Sequence, residues 1–218
     1  MVPMKRILRF LLWGTAFGYI ESAVVVYLRA LYYPDGFSFP LRPIGEEILL
    51  TETLREAATL ILLWTTAALS YTTLQSRIAA FFILFGIWDI SYYLFLKLLL
   101  DWPASLQTWD ILFLIPSPWV GPVWAPLVVS SALILSSSAV LYFNARGEYA
   151  RFGPLSLFMG LVAAAGIVVS FLIPGAGVAK NGMPGPFPVA LFWASLAVGV
   201  ALYLSALYRR ERAEERVS

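Results

Sequence analysis

Apolar residues run through this chain in blocks of about twenty, the length that crosses a bilayer as a helix, and the polar residues gather between the blocks. Six blocks can be read: Ile7 to Tyr27, Glu56 to Leu74, Ile78 to Leu100, Val123 to Phe143, Leu155 to Ile173 and Val189 to Tyr208. Pro, Gly and charged clusters separate them, as helix stops do. The pattern predicts an all-α fold: a polytopic transmembrane bundle of six helices. It is one membrane domain over residues 1–218, with no apolar run left over for a soluble core. The first block follows Lys5 and Arg6 as a secretory leader would. No small-residue cleavage pattern closes it and Glu21 lies inside it, so it reads as a retained helix.

Composition agrees: 60% hydrophobic and 13% charged residues, against about 25% charged in soluble domains. The formal net charge is only +2 and no basic stripe exists, which argues against nucleic-acid binding. Cys and His are both absent, removing disulfides, thiolate or imidazole metal sites and His-ligated haem; no metal site or cofactor is expected. What remains is the chemistry of carboxylates, hydroxyls and phenols, with Arg and Lys.

Six spans place both termini on one side. Assigning that side to the cytoplasm gives it Lys5, Arg6, Arg9, Arg77, Arg146, Arg151, Arg209, Arg210, Arg212 and Arg216, and leaves Arg29, Arg42, Arg55, Lys97 and Lys180 opposite. Ten of the fifteen basic residues inside satisfies the positive-inside rule. The expected location is the inner (plasma) membrane, multi-pass, with the bilayer as first partner and the tail "RRERAEERVS" a solvated end. The outer connections are longer and richer in Pro, Trp and acid than the inner ones, so the working face is expected outside.

Asp89 is the costliest residue, about halfway along the third block. An acid there costs about 2.5–3.5 kcal/mol to insert, so it should face the bundle interior and find a partner. Helical spacing puts Tyr92 and Tyr93 one turn above it, either a plausible donor, and Lys97 two turns higher. Glu21 poses the same problem in the first block, on the face of Gly14 and Gly18, a small-xxx-small packing groove. In the second, Glu52, Glu56 and Thr59 share a face. Glu52 suits a first helical turn without any function, whereas Glu56 is deeper. The candidate ligand-binding set is therefore Glu21, Glu56, Asp89, Tyr92, Tyr93 and Lys97. Against each stands the structural reading: a hydrogen bond that clamps two helices. Ser130 and Ser137 in the fourth block, and the spacings Gly160 to Ala164 and Ser195 to Gly199, read as packing devices.

The outer segment 101–122 is dense in aromatics and proline. Asp101 followed by Pro103 reads as a helix start, and "ILFLI" is too short to span, so the segment is expected to be interfacial or re-entrant. Asp101, Trp109, Asp110 and Trp119 are its candidate lid residues; Trp102, Trp109, Trp119 and Trp124 also suit an interfacial belt. The run "FGIWDISYYLFLKLLLDWPASLQTWDILFLIPSPWVGPVWAP" resembles segments of uncharacterised bacterial multispan integral membrane proteins, which implies an architecture and no activity. The shorter "PSPWVGPVWAPL" is similar to the loop-to-helix signature of the tryptophan-rich TspO/translocator protein family. That resemblance would imply a lipid or tetrapyrrole ligand. It covers about a dozen residues and follows the third helix here, where the five-helix family has it after the first, so no site residue is carried over.

Three functions fit. A carboxylate-lined pocket in the outer half would bind or translocate a cation, a proton or a small amphiphilic solute. A membrane-embedded enzyme would act on a lipid or isoprenoid with Asp89 or Glu21 as general acid. A structural or assembly subunit would use its acids only to lock helices, within a homo-oligomer or beside a membrane-complex partner.

Overall fold

The computed structural model describes residues 4–150 and 152–215. It contains six helices, α1 (Met4–Tyr32), α2 (Glu46–Ser70), α3 (Leu74–Leu100), α4 (Trp124–Asn144), α5 (Pro154–Asn181) and α6 (Val189–Glu215). One short antiparallel hairpin, β1 (Trp109–Phe113) and β2 (Trp119–Pro122), joins α3 to α4. All helices but α2 contain a stretch long and apolar enough to cross a bilayer, which makes this a multi-pass membrane architecture. The exception has a reason: Glu46, Glu47, Glu52, Arg55 and Glu56 all fall in the first half of α2. Arg151 and the side chains of the tail "RRERAEERVS" lie outside the described residues.

Three boundaries depart from the sequence reading. The second helix begins ten residues before Glu56, because nothing in "EEILLTETLR" breaks a helix. The fifth continues through Pro174 to Asn181, where Gly182 adopts the left-handed conformation at φ 76° and stops it. The expected helix after Pro103 does not form. Asp101 instead ends α3, with φ 50°, and "WDILF" pairs as a strand with Trp109 opposite Pro122 and Asp110 opposite Gly121.

Helix α3 is the centre of the bundle and packs against α1, α2 and α4. A Cβ on Gly18 would sit 2.9 Å from the Trp88 carbonyl oxygen, so α1 and α3 touch backbone to backbone as small residues in membrane helices allow. Ser22 ties the same seam by donating to the carbonyls of Gly18 (2.7 Å) and Tyr92 (3.0 Å). Gly86 serves α4 in the same way, facing Ser130 and Ile134. Of the spacings read in the last two helices, Gly160 and Gly199 meet nothing, whereas Ser195 packs on Gly166 of α5.

The hairpin folds back along α3. Phe113 stacks on Phe85, with centroids 6.4 Å apart, and lies 6.1 Å from Trp88, roughly 20 Å below the C-terminal end of α3 at 1.5 Å per residue. Its other face, at Gly121, rests on Phe171 and Phe187. Through this contact, and through Trp124 of α4 on Phe192 and Trp193 of α6, the pair of α5 and α6 joins the rest of the molecule. The four tryptophans proposed for an interfacial belt point into protein: Trp102 onto Arg29, Trp109 onto Phe187, Trp119 onto Phe171, and Trp124 among Phe187, Phe192 and Trp193.

Candidate functional site

The acids of α1, α2 and α3 lie around one cavity of about 340 Å³. Its walls come from the C-terminal halves of α1 and α3, the N-terminal half of α2, the loop 33–45, the hairpin and the last turns of α5. Glu21, Glu56, Asp89, Tyr92 and Tyr93 all line it, and Asp110 and its neighbours on β1 cover it. Most of the remaining wall is hydrocarbon, including Val25, Leu28, Ile44, Leu49, Leu112 and Leu114.

Each acid has an identifiable partner. Glu21 is held from α2: Arg55 forms an ion pair with one carboxylate oxygen and Thr59 donates to the other at 2.9 Å. Arg55 also reaches Glu52 at 2.9 Å, so one guanidinium serves two carboxylates. Glu52 is therefore a buried member of this network in the second turn of α2, not the first-turn acid expected. Glu56 accepts the backbone N–H of Leu114 at 2.8 Å. That bond satisfies a donor at the hairpin tip, as irregular backbone inside a membrane protein requires. Asp89 accepts from Ser130 of α4 at 2.8 Å. The expected donors do not serve it: Tyr93 gives its hydroxyl to Asp110 at 3.1 Å, and Ser130 takes the place of either tyrosine.

Asp110 also pairs with Arg29 at 3.3 Å, and both side chains are nearly closed off, at 4% and 9% exposure. The Arg29 guanidinium lies 3.6 Å from the Trp102 ring centroid and 4.7 Å from that of Phe37. Burial pushes the Asp110 carboxyl above its ordinary value of 3.8, and Arg29, the Ile111 N–H and Tyr93 offset that rise only in part.

Four candidate residues lie elsewhere. Lys97 turns away from the cavity to the end of α3, where it bonds the carbonyls of Asp101 (3.3 Å) and Pro103 (3.2 Å) and pairs with the Asp101 carboxylate at 2.7 Å. That contact leaves Asp101 exposed and holds its carboxyl below the usual range. Trp109 and Trp119 belong to the aromatic packing between the hairpin and α5, Trp119 donating its indole N–H to Ile115 at 2.8 Å. The reading also missed Arg29 and Arg55, taking them as sidedness signals; the demand of Glu21 for a counter-charge was the clue that pointed to Arg55.

The electrostatics that result are uneven. Arg29 and Arg55 are held in ion pairs, and Arg42, at the exposed rim, bonds the Tyr32 carbonyl and lies 3.9 Å from Asp35. Glu56 and Asp89 are held by neutral donors only. Among the described residues no group of three or more His, Cys, Asp or Glu comes together as metal ligands would. Comparison with protein-family models, with curated proteins and with solved structures gives no match to this chain, so the functional reading rests on its own geometry.

Proposed function

We propose that this protein is an inner-membrane protein of six spans, α2 included, with both termini cytoplasmic, and that it binds or translocates a small amphiphilic solute in the outer half of the bilayer. The observation that carries the reading is the joint character of the cavity: hydrocarbon over most of its wall, with Glu56 and Asp89 set into it without cationic partners. Its volume lies at the low end for ligand pockets, which fits a small molecule. Intramembrane acids facing such a space commonly mark substrate paths. Sidedness follows from the basic residues, and the engagement of Arg29 and Arg55 in ion pairs leaves still fewer free cations on the outer side.

The test pairs two measurements on Asp89→Asn: melting temperature, and stabilisation by a panel of inorganic cations, lipids and isoprenoids. The amide keeps the shape of the side chain and its bond to Ser130 while removing the charge. A working site loses ligand-induced stabilisation in a protein that still folds. If a ligand of the parent stabilises the variant equally, Asp89 leaves the site and the acids become helix clamps.

A further inference from the structure

Resting on the binding reading above, we infer that the occupant is a lipophilic organic cation: an amine or quaternary ammonium head on a hydrocarbon body. The first ground is charge. Every arginine at the cavity is engaged by a carboxylate, Arg29 by Asp110, Arg55 by Glu21 and Glu52, and Arg42 weakly by Asp35 at the rim. Two acids remain whose partners are neutral, the Leu114 N–H for Glu56 and the Ser130 hydroxyl for Asp89. Arg55 also acts on Glu56 through space, yet five acids, Glu21, Glu52, Glu56, Asp89 and Asp110, line the cavity against three arginines, so the excess charge of the ionised groups is negative; it repels a carboxylate or phosphate head and attracts a cation.

The second ground is the nature of the walls. Asp89 is buried and lines the cavity beside the aromatic rings of Trp88, Tyr92 and Phe113. Trp88 and Tyr92 stack with centroids 6.4 Å apart, and Phe113 lies 6.1 Å from Trp88. Aromatic faces with carboxylates recognise soft, weakly hydrated ammonium heads. Small inorganic ions instead need several oxygen ligands converging on one point, and the described acids do not converge in that way. Val25, Leu28, Ile44 and Leu49 give a hydrocarbon body apolar surface to cover.

The experiment is a head-group series on one chain length: decyltrimethylammonium, decylamine, decanol and decanoate, with tetramethylammonium and sodium as tailless controls. Binding is measured calorimetrically on the full-length protein in lipid nanodiscs. The ammonium compounds should bind at least tenfold more tightly than decanol, with decanoate and the tailless ions weakest. Glu56→Gln and Asp89→Asn should each erase that preference, while Asp101→Asn, outside the cavity, keeps it. Val25→Trp, or Leu28→Trp if the first fails to fold, fills the cavity and should abolish binding of the whole series. If decanol and decanoate bind the parent as well as the amines do, and the filled variants lose all of them, the cavity binds ligands but the cation inference is overturned. If no member of the series, and no member of the broader panel, binds in a manner sensitive to the filled variants, the binding reading falls with it.

Discussion

Asp110 and Arg29 should respond unequally to substitution, although they are partners in one ion pair. Two effects oppose each other at Asp110. The pair with Arg29 and the hydrogen bonds from Ile111 and Tyr93 favour its ionised form, whereas burial disfavours it, and burial is the larger. The carboxylate is therefore a net cost to the folded state, as buried ion pairs often are. Asp110→Asn removes the charge and keeps an oxygen for Tyr93, so unfolding free energy should stay within about 1 kcal/mol of the parent. Arg29→Met removes the cation paired with a buried carboxylate together with the stacking on Trp102 and Phe37, and should cost about 3–5 kcal/mol. Arg29→Met with Asp110→Asn should regain most of that loss. The pH profile carries the same sign. Between 3.8, the ordinary value, and its raised value, Asp110 holds a proton in the folded chain that the unfolded chain has released, so stability falls as pH rises through that window. The slope should be missing from Asp110→Asn and should extend to higher pH in Arg29→Met. Denaturing-detergent titration followed by circular dichroism, from about pH 4 to about pH 8, measures all of this. If Asp110→Asn is as damaging as Arg29→Met, burial does not dominate and the reasoning fails.

Gly18→Ala should destabilise by about 1–3 kcal/mol in the same titration, because the Trp88 carbonyl at 2.9 Å cannot give way. Gly160→Ala meets no neighbour and should be neutral or stabilising by about 0.5–1 kcal/mol. Glu56→Gln keeps an acceptor for the Leu114 N–H and should melt like the parent, whereas Glu56→Leu orphans that donor and should cost about 1–3 kcal/mol. Reporter fusions should give a cytoplasmic signal at Ser218 and a periplasmic one near Gly182; the reverse at either position rejects the six-span topology.

The helical blocks were legible because crossing a membrane demands a continuous apolar length, a one-dimensional property. The burial of Glu21 and Asp89 was legible too, since an acid at such a position is too costly to face lipid, whereas Glu56, at the edge of its block, could equally have been a helix-end charge. Their partners were not. Ser130 carries no mark that assigns it to Asp89 instead of to general helix packing, and Arg55 resembles any basic residue near a helix end. The hairpin was misread for a different reason. Asp101 followed by Pro103 satisfies the local rules for a helix start, but "WDILF" is rich in aromatic and branched residues, which suit a strand. A strand that short is stable only with tertiary cover, supplied here by Phe85, Trp88, Phe171 and Phe187, all distant in sequence. Lys97 was misplaced because helical spacing gives a face and not a direction, and the carbonyls at the end of α3 are nearer.

The seat of the hairpin on α5 bears on how the chain is made. At Gly175 the backbone of α5 lies against the Pro118 carbonyl, where a Cβ would not fit, and just beyond, Gly182 accepts the N–H of Leu41 at 3.0 Å. Both connecting segments that enclose the cavity, the loop 33–45 and the hairpin, therefore lean on a helix synthesised after them. While the ribosome is still producing α5, the first four helices can gather around α3, but the hairpin has only one of its two supports and Val178 and Ala179 are missing from the wall. The acids are thus grouped early in biogenesis and enclosed late, and a chain arrested after α4 would display to the insertion machinery, and to quality-control proteases, an acid-bearing apolar chamber with one side open.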